Sequence, residues 1–203
     1  MTLSAGYGAR MSGVLAPGEL AAAYAAGCFP MDIDGRVGFY ECDPRTVIPI
    51  DGFRIPRSVA RAFRNRDFEV RIDSAFADVV AACGGPRHGG AWLSRRLMDA
   101  YCDAHAEGFA HSVEIWSAGR LVGGLFGVAI GGLFTSESMF HRVSDAGSAA
   151  LVATHDHMTA RGFTLWDIQM ASPHTTRFGA IDLTPADYRR RLADALPLKR
   201  SFA

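Results

Sequence analysis

Glu137, Asp167 and Gln169 are polar residues set in apolar runs, and their types suit proton transfer and hydrogen bonding to a ligand. Glu137 lies in Gly131-Gly132-Leu133-Phe134-Thr135-Ser136-Glu137-Ser138-Met139-Phe140, a composition that suits a buried strand. Burying an unpaired carboxylate is costly, so Glu137 is either paired or borders a cleft. Along Trp166-Asp167-Ile168-Gln169, strand alternation puts Asp167 and Gln169 on one face and Trp166 and Ile168 on the other. If the two strands are parallel neighbours, two carboxylates and a carboxamide surround a crevice near their carboxyl ends, where ligands often bind. Satisfied structural groups at strand ends leave the same trace.

Other chemistries fare worse. His155 and His157, two apart on a helix, point in different directions, and no third metal ligand is evident. Ser136 and Ser138 lack the nucleophile-elbow pattern of serine hydrolases, and neither a P-loop nor a dinucleotide fingerprint occurs. Cys28, Cys42, Cys83 and Cys102 are scattered, as in reduced intracellular proteins. No metal and no cofactor is expected.

The elements that must position these residues follow in chain order. Residues 1–13 are Gly/Ser-rich and expected to be disordered. A helix runs from Pro17 to Ala25, stopped by Gly27. Asp32 to Arg36 forms a turn, and short strands at Phe39-Tyr40 and Val47–Ile50 flank Asp43-Pro44-Arg45. Pro56 starts a helix whose Arg57, Arg61 and Arg64 share one face, either a solvated face or a phosphate-contacting stripe. A strand over Phe68–Ile72 leads to a helix capped by Ser74. Gly84 to Gly90 is a flexible loop, the expected internal boundary or a gating element, with Trp92 at its lip. A second capped helix runs from Ser94 to Glu107. Strands over Ser112–Trp116, Leu121–Ile130 and Gly131–Phe140 form an antiparallel meander. Gly123, Gly124 and Gly127 mark a bulge or a close approach. A helix over Ala146–Ala160 then crosses to the Asp167 strand in a βαβ unit, and Pro185–Leu196 closes the chain.

The 203 residues are 49% hydrophobic and 21% charged, enough for a globular core. Lys+Arg 21 against Asp+Glu 21 gives no global field, so a nucleic-acid partner would need a local basic patch. Nearly all cations are Arg, with Lys199 the only lysine, a usage that a GC-rich genome produces as readily as phosphate recognition. The first ten residues lack the apolar core of a signal peptide, and no apolar run is long enough for a membrane span, so a cytoplasmic protein is expected.

Several motifs, taken together in order, identify a family resemblance. Phe29-Pro30, Asp43-Pro44-Arg45, Trp92, Ala110-His111-Ser112-Val113-Glu114-Ile115-Trp116, Leu121-Val122-Gly123-Gly124, Glu137-Ser138-Met139-Phe140, Asp167-x-Gln169, His174 and Phe178-Gly179-Ala180 closely resemble the leucyl/phenylalanyl-tRNA–protein transferase family. The similarity runs from Val14 to Leu192. It implies an α+β fold: a small N-terminal domain over 14–85, then over 86–203 a catalytic domain with an N-acyltransferase-like mixed sheet flanked by helices. It also implies an aminoacyltransferase that moves Leu, Phe or Met from aminoacyl-tRNA to the N-terminal Arg or Lys of acceptor proteins, creating an N-terminal degradation signal. By that resemblance Asp167, Gln169 and Glu137 are catalytic. Leu125, Phe134, Ser136, Leu151, Met158 and Trp166 line the aminoacyl pocket, Trp92 stacks on the terminal adenosine, and Arg57, Arg61 and Arg64 contact the tRNA. Replacing Asp167 or Gln169 by Ala is expected to lower transfer and spare the fold.

The chain departs from the family pattern at Met31, Phe39 and Gly147-Ser148, at Ser136 in place of glycine, and at Trp166 in place of a smaller aliphatic residue. These changes surround the substrate end of the site. The alternatives are an acetyl-CoA-dependent N-acetyltransferase on the same fold and a non-catalytic tRNA-binding paralogue.

Overall fold

The first strand, β1 (Thr2–Ala5), lies in the segment expected to be disordered, and it is held by pairing with a later strand, Thr2 opposite Asp43. The computed structural model describes residues 2–5, 15–84 and 92–203, so the rest of that segment and most of the Gly-rich loop fall outside the described residues.

Helix α1 (Pro17–Ala25) starts at its proline, where a missing N–H costs nothing, and Glu19 reaches back to accept from the Ala16 N–H at 3.0 Å. It ends at Gly27, whose φ of +85° suits glycine. Strands β2 (Phe29–Ile33) and β3 (Arg36–Asp43) form a hairpin whose turn is only Asp34-Gly35. Both turn residues have positive φ, as a tight two-residue turn requires. β4 (Arg45–Val47) leaves this sheet and joins another.

Helix α2 (Arg57–Asn65) and strand β5 (Glu69–Ile72) match expectation. Helix α3 (Phe76–Cys83) is not capped by Ser74. Its first free N–H, that of Ala75, is taken by Glu114 Oε1 at 2.7 Å, so the cap comes from a strand 39 residues away. α4 (Arg95–Ala106), β6 (Ala110–Ser117), β7 (Arg120–Ile130) and β8 (Leu133–His141) follow, the three strands forming the expected meander. At Gly127 the β7–β8 register shifts, and a Cβ there would stand 2.3 Å from the Thr135 carbonyl oxygen, so the crossing requires glycine. α5 (Ala146–Arg161) ends at Gly162 and crosses to β9 (Leu165–Gln169), which runs parallel to β8. A short α6 (Pro173–Thr176), β10 (Ile181–Leu183) and α7 (Pro185–Ala195) complete the chain.

The fold is α+β. A small antiparallel sheet, β1-β3-β2, sits beside a larger mixed sheet in the order β10-β4-β9-β8-β7-β6-β5. The larger sheet draws β4 and β5 from the 14–85 segment and the rest from 86–203. One core packs α1, α3, α4 and the hairpin against one sheet face through Phe126, Val128 and Phe140. The other packs α5 against the opposite face through Leu125, Phe134 and Trp166. Phe202 fills a slot there, with its ring 4.5 Å from that of Phe134. No helix among the described residues is long and apolar enough to cross a membrane.

Candidate active site

Strands β8 and β9 pair only through Leu133–Leu165, Phe134–Trp166 and Thr135–Asp167, although both continue beyond that point. Past Thr135 the parallel ladder is open, which is where Glu137 and Gln169 stand. They meet through side chains: Gln169 Nε2 donates to Glu137 Oε1 at 2.8 Å. The Gln169 backbone N–H donates to Asp167 Oδ1 at 2.9 Å. Gln169 therefore bridges both carboxylates, and its φ of +56° is strained for a residue of this type. With the amide nitrogen committed to Glu137, the amide oxygen Oε1 is the group left to accept from a ligand.

Asp167 is fully buried and its oxygens are occupied. Arg45 on β4 grips it from Nε and Nη2, and the Tyr188 hydroxyl on α7 donates to Oδ2 at 2.8 Å. The Arg45 guanidinium also lies between the Phe29 and Tyr188 rings, 4.8 and 4.7 Å from their centroids. Asp167 raises the Arg45 pKa and so holds it charged against the opposing pull of burial. Asp167 thus fixes the backbone that carries Gln169, and the charge that would be costly alone is paired.

Glu137 is half-buried and accepts from the Tyr101 hydroxyl at 3.0 Å. Tyr101 in turn is 2.7 Å from the Tyr24 hydroxyl, and both phenols are buried. Desolvation pushes the Glu137 carboxyl up to about 8 despite the lowering effect of the two phenols. A carboxylate poised there can exchange a proton with an α-amino group, whose own pKa is roughly 8.

In front of this floor is a cleft of about 80 Å³ lined by Phe29, Pro30, Met31, Trp92, Glu137, Gln169 and Met170. Trp92 is tied to β2 by its carbonyl, which accepts from the Asp32 N–H at 3.0 Å. The structure thus brings together Trp92, Glu137 and Gln169 in the cleft, with Asp167 directly behind. Leu125, Phe134, Leu151, Met158 and Trp166 lie instead on the α5 side of the opened ladder, buried together. There the Trp166 indole N–H donates to Ser136 Oγ at 2.8 Å. Arg57 and Arg61 are exposed on α2, away from the cleft lining; the Arg64 side chain is outside the described residues. His155 and His157 bond different carbonyls, those of Ile50 and Phe202, and no cluster of three metal-ligating side chains occurs among the described residues.

Sequence reasoning left Tyr24, Tyr101, Tyr188, Arg45 and Met170 without a role. A signal existed for two of the tyrosines: Tyr24 and Tyr101 sit among apolar helix positions, and a buried phenol needs a partner for its hydroxyl. Arg45 carried a motif but no indication of its mate.

A family model for leucyl/phenylalanyl-tRNA protein transferase matches residues 47–193. Leucyl/phenylalanyl-tRNA–protein transferases from Herpetosiphon aurantiacus and Rubrobacter xylanophilus are 42% and 44% identical to this chain; each match covers 93% of it, and 98% and 99% of the relatives. One from Phenylobacterium zucineum is 45% identical over 91% of this chain and 86% of its own. With a family model over most of its length and relatives aligned nearly end to end, the chain belongs to the leucyl/phenylalanyl-tRNA–protein transferase family.

Proposed function

We propose that this protein transfers Leu, Phe or Met from aminoacyl-tRNA to the α-amino group of an acceptor protein beginning with Arg or Lys, and that the new N-terminal residue marks the acceptor for degradation. The observation that carries this reading is Gln169 bridging Glu137 and Asp167 at the floor of an apolar cleft.

An aminoacyl ester is already activated, so the work is to place a neutral amine against its carbonyl. Good placement is worth several kcal/mol, up to ~7 or more in ideal geometry. In this reading the terminal adenosine packs on Trp92 and Met31. The aminoacyl side chain enters the opening between β8 and β9 towards Leu125, Phe134, Leu151 and Met158. The Trp166–Ser136 pair closes the far end and limits its size. Gln169 Oε1 accepts from the attacking amine, and Asp167 holds Gln169 in place. Glu137 attracts the cationic acceptor and takes the proton. Arg57 and Arg61, with Arg64 by sequence, contact the acceptor stem.

The test is a transfer assay with tRNAs charged with Leu, Phe or Met and an Arg-initiated peptide. Transfer to the peptide N-terminus is expected. Binding of charged tRNA without transfer would establish a non-catalytic module instead. Acetylation of the same peptide from acetyl-CoA would establish the acetyltransferase reading.

A further inference from the structure

The Glu137 carboxylate is reached from behind by two phenols that no step above requires. Tyr24 on α1 and Tyr101 on α4 are 1% and 0% exposed, so neither can touch a substrate directly. Their hydroxyls form a directed chain. Tyr101 has one O–H proton and Glu137 Oε2 takes it, so Tyr24 must donate to the Tyr101 oxygen. Gln169 Nε2 donates to the other carboxylate oxygen. Every donor in this chain points towards Glu137, an arrangement that favours its ionised form.

The groups facing Glu137 come from several elements. Tyr24 and Tyr101 lower its pKa and Arg45 on β4 adds to that effect, while burial and Asp167 on β9 raise it. The phenols therefore oppose desolvation directly, and removing one raises the pH at which Glu137 ionises.

The ionisation matters because it orients Gln169. An ionised Glu137 accepts only, so the Gln169 NH₂ must face it and Oε1 is left for the attacking amine. A protonated Glu137 can donate, which allows the amide to turn and present N–H groups to the amine. Those groups cannot accept its proton.

We propose that Tyr101, backed by Tyr24, is a positioning residue whose O–H favours the ionised form of Glu137 and thereby holds the Gln169 carbonyl towards the attacking amine. This rests on the transferase reading above. The neutral amine forms a C–N bond to the ester carbonyl carbon, and the C–O bond to the ribose breaks. One proton passes from nitrogen to Glu137, and the ribose oxygen takes one back, so the carboxylate is regenerated.

Single-turnover transfer from Leu-charged tRNA to an Arg-initiated peptide, measured from about pH 6 to about pH 9, reads this role. In Tyr101→Phe the rising limb should move about one pH unit to alkaline pH, giving about tenfold slower transfer near pH 7 that largely recovers near pH 9. Tyr24→Phe should move it in the same direction. A uniform loss at every pH would assign Tyr101 to structure alone and overturn the proposal. Infrared titration of ¹³C-Glu-labelled protein, with the Glu137 band assigned by its absence in Glu137→Gln, follows the carboxyl without needing activity. An unmoved midpoint in Tyr101→Phe overturns the proposal, whereas no transfer by the unmodified protein at any pH overturns the transferase reading.

Discussion

Arg45 and Asp167 form a buried pair in which the guanidinium grips both carboxylate oxygens, Nε to Oδ1 at 2.9 Å and Nη2 to Oδ2 at 2.5 Å. Removing one member leaves an uncompensated charge among Phe29, Cys42 and Tyr188. Asp167→Ala should therefore cost about 3–5 kcal/mol of stability in urea denaturation. This replaces the expectation from sequence that the substitution spares the fold. Asp167→Asn should cost less, and a double substitution of Arg45 and Asp167 less than the sum of the singles. Stability unchanged in Asp167→Ala would contradict the pairing.

Glu137 makes stability depend on pH. Its folded pKa is raised from 4.5 to about 8, so the stabilisation it contributes is complete below the unfolded value and is lost as pH rises through about 8. Glu137→Gln, which cannot ionise, should become more stable relative to the unmodified protein between about pH 5 and about pH 9. Allowing for partial solvent access, the gap should widen by about 2 kcal/mol. A gap that stays constant with pH would show that the carboxyl titrates normally.

Glu114 should be a folding residue despite its place in a family motif. It accepts from Ser74, from the Ala75 N–H at 2.7 Å, from Ser112 at 2.8 Å and from the Trp116 indole at 3.0 Å. Glu114→Ala strands these donors and uncaps α3, at a cost of roughly 3 kcal/mol. Transfer per folded molecule should stay close to that of the unmodified protein; a selective loss of transfer at full stability would place Glu114 in the mechanism.

The basic face of α2 is testable by salt. Replacing Arg57 and Arg61 by Gln should weaken tRNA binding and reduce the slope of log K against log [salt] by about 1.5. An unchanged slope would identify both as a solvated helix face.

The meander, the βαβ crossing and the pairing of Asp167 and Gln169 on one face were legible because alternation and Gly turns are local signals. The same locality explains what was missed. The α3 cap was sought in the adjacent Ser74, whereas the acceptor is Glu114, brought in by pairing of β5 with β6. Arg45 lies 122 residues from Asp167, a separation no spacing rule spans. The end of the β8–β9 ladder after Thr135 is a property of two strands' relative geometry, and no residue at that point announces it. The N-terminal strand escaped notice because its Gly/Ser-rich surroundings read as unstructured, while its order comes from β3.

β4 sits between β9 and β10, so residues 45–47 acquire both neighbours only when residues 165–183 are present. Arg45 cannot meet Asp167 before then. Assembly of the site is thus a late, high-contact-order event that waits on the far end of the chain during synthesis. An unfinished polypeptide should have neither a bridged Gln169 nor the capacity to use up charged tRNA.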